Sequence, residues 1–278
     1  MDVKTQSLEA QPPAADGARA RDSWSGFVWF LVKLLLAVLA FRVFVFSPFS
    51  IPTESMLPRL MTGDYLLAAK WPYGISRHSL PFDLSLPDGR LMPRTPERGD
   101  VVIFKHPVDG VEYIKRVIGL PGDRVAVIGG QVALNGVPVP RRRMADVLVP
   151  MSDNTRCASG DIERRSDGGE ACRYAAFRET LPGGKSYTVI ELGALPGYDR
   201  FEEVTVPPGR LFVMGDNRDS SLDSRFDAAA GFGVGMVPQD LLVGRASIIV
   251  WSTDGSADWG KPWTWFSAAR WNRIGETL

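Results

Sequence analysis

The run V-E-Y-I-K-R-V-I-G-L-P-G-D, Val111–Asp123, decides the fold class. β-Branched and aromatic residues run into a Pro-Gly turn, which reads as a strand. With a period of two, Tyr113, Lys115 and Val117 share one face, and Ile114, Arg116 and Ile118 share the other. Lys115 then lies between two bulky neighbours, and Arg116, pointing the opposite way, needs a carboxylate. The plainer alternative is a surface Lys-Arg pair on a half-exposed strand.

Outward from this run the pattern repeats. Asp64–Ala69, Val101–Lys105, Arg124–Ile128, Tyr187–Leu192, Leu211–Met214 and Arg245–Trp251 have the same composition and are bounded by Gly, Pro or Asp. Val132–Leu134 and Val137–Val139 flank Asn135-Gly136, a strong hairpin signal. Long helical periodicity is missing from residue 64 onward, so this part reads as mainly β. Residues 71–98 and 141–183 are rich in Pro, Gly and charge and read as long loops or a peripheral β/loop insert, placed at about 128–208.

Residues 1–26 read as a disordered tail, since Ala, Pro, Asp and Arg dominate residues 1–23 without an apolar period. Residues 27–46, F-V-W-F-L-V-K-L-L-L-A-V-L-A-F-R-V-F-V-F, would span ~30 Å as a helix, the thickness of a bilayer's hydrocarbon. Lys33 and Arg42 each lie nearer an end than the centre, within snorkelling reach of the interfaces. The stretch exceeds the h-region of a cleaved signal, and no A-x-A-like site follows it. An uncleaved signal anchor is the resulting expectation, with the N-terminus cytoplasmic and residues 47–278 outside the cytosol.

Lys+Arg and Asp+Glu are both 32 in a chain of 278 residues, so net charge gives no argument for a nucleic-acid partner. Two histidines and two cysteines are too few for a Cys/His zinc cluster. His78 and His106 read as ordinary surface or loop residues. Cys157 and Cys172 enclose a polar, Gly-rich loop: a disulfide closing it would contribute about 3 kcal/mol, and two free thiols in a reducing compartment are the alternative. The C-terminal run W-G-K-P-W-T-W-F-S-A-A-R-W-N-R-I, residues 259–274, has the composition of a membrane-interface segment, or of a tail packed on the β core.

Two further stretches carry chemistry. I-P-T-E-S-M-L-P-R-L-M-T-G-D, Ile51–Asp64, holds Ser55 on a stiff turn between Pro52 and Pro58. A serine hydroxyl needs a base to become a nucleophile. Neither histidine has the surroundings of a triad, which leaves lysine, provided burial lowers its pKa. V-M-G-D-N-R-D-S-S-L-D-S-R-F, Val213–Phe226, is too polar for a core; it is either a solvated turn or a hydrogen-bonded network that orients other groups.

In this order, P-T-E-S-M-L-P-R-L-M-T-G-D, R-G-D-V-V-I-F, Y-I-K-R-V-I-G-L-P-G-D and G-D-N-R-D-S-S-L-D-S-R resemble the bacterial type I signal peptidases, over most of Phe27 to about Trp251. The resemblance implies a mainly β, signal-peptidase-like catalytic domain behind a single transmembrane helix, on the outer, periplasmic face of the bacterial inner membrane. It implies an endopeptidase that removes signal peptides from exported preproteins, with the lipid bilayer as its other partner and no metal or cofactor. Ser55 matches the nucleophile and Lys115 the general base. Thr53 matches a hydroxyl that joins the Ser55 N–H in the oxyanion hole, where the family often has Ser. Ser221 matches the hydroxyl that holds the lysine, and Asp216, Asp223, Arg116 and Arg225 match the supporting ion pairs. Pockets lined by Phe49, Ile51, Met56, Leu60, Tyr113 and Ile114 would be apolar and shallow, accepting the small residues of an A-x-A site. After Phe226 the chain continues D-A-A-A-G-F-G-V-G-M-V-P, longer than the family's usual continuation.

Two other readings lead elsewhere. A self-cleaving Ser/Lys regulator would carry a DNA-binding domain in place of residues 1–46. A membrane-anchored β domain that binds peptides without cutting them would tolerate loss of Ser55 or Lys115.

Overall fold

The computed structural model describes residues 24–79, 89–157, 161–166, 168–258 and 260–278. The tail expected at residues 1–23, and Trp259, lie outside them. Two compact units divide the chain at Leu39/Ala40.

Helix α1, Trp24–Phe44, is long and apolar enough to cross a membrane, with a mean hydropathy of 2.0 over Trp24–Arg42. Its large side chains are exposed, among them Trp24, Trp29 and Leu35. A helix apolar on all sides has no aqueous face to present. It ends two residues before the expected Phe46 because Phe46 and Ser47 already pair with Ala69 and Ala68. Pro48 also biases Ser47 to the extended region, which a helix could not continue through.

The strands in chain order are β1 (Phe46–Ser50), β2 (Asp64–Ala69), β3 (Ile75–Ser76), β4 (Arg90–Leu91), β5 (Val101–Lys105), β6 (Glu112–Gly119), β7 (Arg124–Ile128), β8 (Gln131–Leu134) and β9 (Val137–Pro138). They continue with β10 (Arg141–Arg143), β11 (Val147–Pro150), β12 (Ile162–Arg164), β13 (Glu170–Thr180), β14 (Ser186–Glu191), β15 (Arg200–Thr205), β16 (Arg210–Met214), β17 (Val237–Pro238) and β18 (Leu242–Ser252). Helix α2, Pro196–Asp199, precedes β15, and helix α3, Trp263–Ala268, follows β18. The fold is mainly β.

The main sheet has the order β1-β2-β18-β5-β6-β16-β17, antiparallel throughout. Its central strands are buried on both faces, which is why Val101–Phe104 reads as an unbroken apolar run. Val101 and Ile103 pack with Ile51, Met56, Leu60 and Ile114, whereas Val102 and Phe104 pack with Tyr73, Val117 and Val213. A smaller sheet, β15-β7-β8-β9, carries the hairpin at Asn135-Gly136, where both residues have positive φ as a tight two-residue turn requires.

Residues 141–183, expected as long loops or as a peripheral β/loop insert, include four strands among the described residues. They form β10–β13, and β13 is an eleven-residue strand that pairs with β10, β11, β12 and β14. Its Arg and Glu content hid it: Arg173 and Arg178 point to solvent while Cys172, Tyr174 and Ala176 are buried. Cys157 and Cys172 are disulfide-bonded, with Cα atoms 5.4 Å apart. The C-terminal segment packs on the core. Thr277 and Ala269 bridge to Ile248 and Thr253, and Arg273 forks onto the buried Asp64 at 3.0 and 2.6 Å. Trp271 meets Trp251 edge to face, while Trp263 and Phe266 stay exposed.

Candidate active site

The turn between β1 and β2 carries Ser55. Ile51 and Asp64 close it at its neck, with the Ile51 N–H donating to the Asp64 carbonyl at 2.8 Å and the Gly63 N–H to the Ile51 carbonyl at 3.0 Å. Gly63 has φ +89°, and a Cβ there would lie 2.2 Å from the Thr253 carbonyl oxygen, so only glycine fits. Ser55 is almost fully buried, and its carbonyl accepts from the Asn217 N–H at 3.1 Å. The Asn217 side-chain amide donates to the Glu54 carbonyl at 3.2 Å, so the loop after β16 is bonded to the serine turn twice. Gly215 permits that approach: a Cβ there would meet the Ser55 carbonyl oxygen at 2.4 Å and Ser221 Oγ at 2.3 Å.

Across the cleft, β6 presents Lys115. Its Nζ donates to Ser55 Oγ at 2.7 Å, and the side chain is 3% exposed. Burial pulls its pKa down from 10.5 to about 8 against the carboxylates of Asp223 and Asp216, which favour the charged form; Arg225 assists the lowering. Thr53 is exposed on the same turn, its hydroxyl 3.4 Å from Ser55 Oγ.

The carboxylates near the lysine are held by arginine forks. Arg116 points off the Lys115 face and binds Asp216 through Nε and Nη2 at 2.7 and 2.6 Å, while Nη1 donates to the Gly99 carbonyl. Arg225 forks onto Asp223 at 2.8 and 2.9 Å, and the Gly215 N–H adds a third donor at 3.0 Å. Burial raises the Asp223 pKa, but Arg225's charge and these hydrogen bonds outweigh it and leave the carboxyl below its usual range. Among the described residues, no three His, Cys, Asp or Glu side chains converge in an arrangement that could hold a metal ion.

The family model described as "Signal peptidase, peptidase S26" matches residues 24–251. A signal peptidase I of Rickettsia massiliae is 33% identical over 243 residues, covering 84% of this chain and 80% of the relative. That of Rickettsia typhi is 34% identical over 229 residues, with 79% and 77% covered. The chain belongs to the signal peptidase S26 family. A crystal structure of a signal peptidase I from Enterococcus faecalis V583 aligns at 25% identity and a TM-score of 0.29, covering 55% of this chain and 98% of that one.

Membership makes the chain an endopeptidase of the signal peptidase class, and the cleft has a shape suited to a peptide. It encloses about 300 Å³ between β1 and β6, with Ser55 and Lys115 in its wall. Of the expected pocket residues, Phe49, Ile51, Tyr113 and Ile114 line it. Met56 and Leu60 do not. They are fully buried in the core beneath, because a Leu60 N–H to Met56 carbonyl bond makes one helical turn and sends both side chains the same way. Ser50, Pro52, Ile103, Val111, Glu112, Ser220 and Leu222 also line the cleft.

Ser221 is fully buried with its hydroxyl beside the Asp223 carboxylate, which it helps hold in the charged form, while the lysine's own hydrogen bond goes to Ser55. The sequence reading also missed a third fork. Arg218 binds Glu179 on β13, and Tyr187 donates to the same carboxylate at 2.8 Å. Arg218 lies inside a quoted motif, whereas Glu179 lies in the stretch read as long loops or a peripheral β/loop insert. His106, expected as a surface or loop residue, lies in the loop after β5 and is buried behind the Tyr113 ring, 4.9 Å away.

Proposed function

We propose that this chain removes signal peptides from exported preproteins with Ser55 as nucleophile and Lys115 as general base. The observation that carries the proposal is the 2.7 Å contact between Ser55 Oγ and a buried lysine whose pKa is lowered to about 8. At that pKa a useful fraction is neutral near physiological pH, and the contact can then run in reverse, with Nζ accepting the hydroxyl proton.

Oγ attacks the scissile carbonyl carbon as Lys115 takes the proton. The Ser55 N–H and the Thr53 hydroxyl are the donors for the developing oxyanion. Collapse of the tetrahedral intermediate expels the amine, which leaves with the proton from Lys115, and an ester to Ser55 remains. Water, deprotonated by Lys115, cleaves that ester, and the proton returns to Ser55. Asp216 and Asp223, each clamped by an arginine, oppose too deep a fall in the lysine's pKa.

A substrate lying as a strand between β1 and β6 places its first and third residues before the scissile bond on one face. Phe49, Ile51, Tyr113 and Ile114 leave shallow apolar space there, suited to the small residues of an A-x-A site. Helix α1 serves as an uncleaved anchor in the bacterial inner membrane, with its N-terminus cytoplasmic and the catalytic domain periplasmic. The test is cleavage of a preprotein in detergent by the wild type and by Ser55→Ala. The variant should be inactive with an unchanged circular-dichroism spectrum, and near-full processing by it would sink the assignment.

A further inference from the structure

The dyad leaves a buried titratable group unused. His106, at the end of β5, has a fully buried side chain with contacts on both ring nitrogens. Nδ1 faces the N–H groups of Val108 and Asp109 at 3.2 and 3.4 Å, and Nε2 lies 3.0 Å from the Gly233 carbonyl oxygen. With the Gly233 carbonyl at Nε2 and backbone N–H groups at Nδ1, both ring nitrogens are engaged and the ring is fixed in place. Asp109 acts in parallel: Oδ1 accepts from the Val111 N–H and Oδ2 from the Gly231 N–H, both at 2.9 Å, while Oδ1 also lies 3.2 Å from His106 Nδ1.

These contacts join the β5–β6 connection, residues 106–111, to the long loop after Phe226. Gly231 and Gly233 are both bonded to the connection, so Phe232 between them is held beside it. Phe226 buttresses it with an edge-to-face ring contact at 5.6 Å. Phe232 is nevertheless 46% exposed, and Val108 and Val111 on the connection are 56% and 57% exposed. Val111 also lines the substrate cleft. From Lys115 back to Val111, the residue just before β6, the chain covers about 13 Å, the length of roughly four strand residues.

We infer that Phe232, with Val108 and Val111, forms an apolar shelf continuing the cleft, and that it binds apolar substrate side chains about four to six residues before the scissile bond. His106 is the positioning residue that holds the shelf together. The inference rests on the proposed signal-peptide cleavage. Its occupant follows from continuity with the cleft: a signal peptide's apolar segment precedes its small-residue site. The Gly–Phe–Gly bridge packs one edge of its aromatic ring on Phe226 and leaves nearly half of it open to a ligand.

The test uses the full chain in detergent and two synthetic peptides with the same A-x-A site, one carrying Leu and the other Ser at the fourth to sixth positions before the scissile bond. The wild type should favour the Leu peptide in kcat/KM. In Phe232→Ser the preference should fall about fivefold, carried by KM. His106→Asn keeps an acceptor near the Nδ1 position but loses reach to Gly233, and should lower the preference similarly. The amide of His106→Gln reaches the Nε2 position and should restore most of it. An unchanged preference in Phe232→Ser, or an equal loss on both peptides, would overturn the shelf. Cleavage of either peptide by Ser55→Ala would instead overturn the dyad, so the two failures are distinct.

Discussion

Two buried lysines, Lys115 and Lys70, share their burial and their lowered pKa but not their neighbours. Each is 3% exposed, and burial pulls each from 10.5 to about 8. Lys115 donates to a serine hydroxyl at 2.7 Å, whereas Lys70 donates to the Arg42 carbonyl at 2.8 Å. A lowered pKa therefore reports burial; it becomes chemistry only where a proton waits to be taken. Their electrostatic settings differ too. Asp223 and Asp216 counter the fall at Lys115, while the Arg42 charge deepens it at Lys70 against Glu112.

The largest expected effect comes from breaking this pair at its active member. Lys115→Met replaces the proposed base with an apolar side chain of similar length, and should lower kcat about 10³-fold or more. A single-turnover assay on a peptide substrate reads this directly. The fold should persist, because methionine removes a buried amine without leaving a buried charge unpaired.

Beside Lys115, unlike Lys70, stand two buried arginine–carboxylate forks, with a third, Arg218–Glu179, linked to Arg116 through the Tyr187 ring, and removing this third fork is the next largest effect. Arg218→Met strands Glu179 without its cation in a site that is almost solvent-free. A broken buried pair costs about 3–5 kcal/mol, which urea denaturation of the detergent-solubilised protein should register. If the loss stayed below 1 kcal/mol, this fork would not hold the network in place.

That third fork also marks how far the sequence could be read. Asp64–Ala69, Val101–Lys105 and Arg124–Ile128 match observed strands at both ends, because alternation or an unbroken apolar run leaves little choice. Ser55, Lys115, Arg116 and Asp216 could be placed because each sits in a compact motif next to such a strand. Glu179 could not, because its strand alternates charged with small residues and buries a carboxylate that local composition marks as solvated. Met56 and Leu60 were misplaced for a related reason: apolar character near a nucleophile does not say which side of the turn is core. His106 is the loop residue it was read as, but its burial could not be read because its partner carbonyl lies in a loop far along the chain.

Stability against pH tests both lysines together. The folded state keeps each lysine neutral above about pH 8, while the unfolded chain keeps it charged up to about 10.4. Between these values the unfolded state binds more protons, so stability rises with pH. Below pH 8 both states are charged, and the burial penalty is present in full, at about 3 kcal/mol per lysine. Denaturant midpoints should therefore rise between pH 8 and 10, and either Lys115→Met or Lys70→Met should flatten that rise.

The smallest expected effect is on catalysis by Lys70→Met, and it is the most discriminating. In the wild type kcat/KM should climb about tenfold per pH unit below pH 8 and level off above it, as the base loses its proton. Since Lys70 contacts a backbone carbonyl and no reacting group, its loss should leave that inflection in place and keep the rate within about twofold of wild type. An inflection that moved or vanished in Lys70→Met would mean that the activity is read through the wrong lysine. The contrast works because the two variants are expected to look alike in stability and opposite in rate: only the neighbour at 2.7 Å, and not the pKa, separates them.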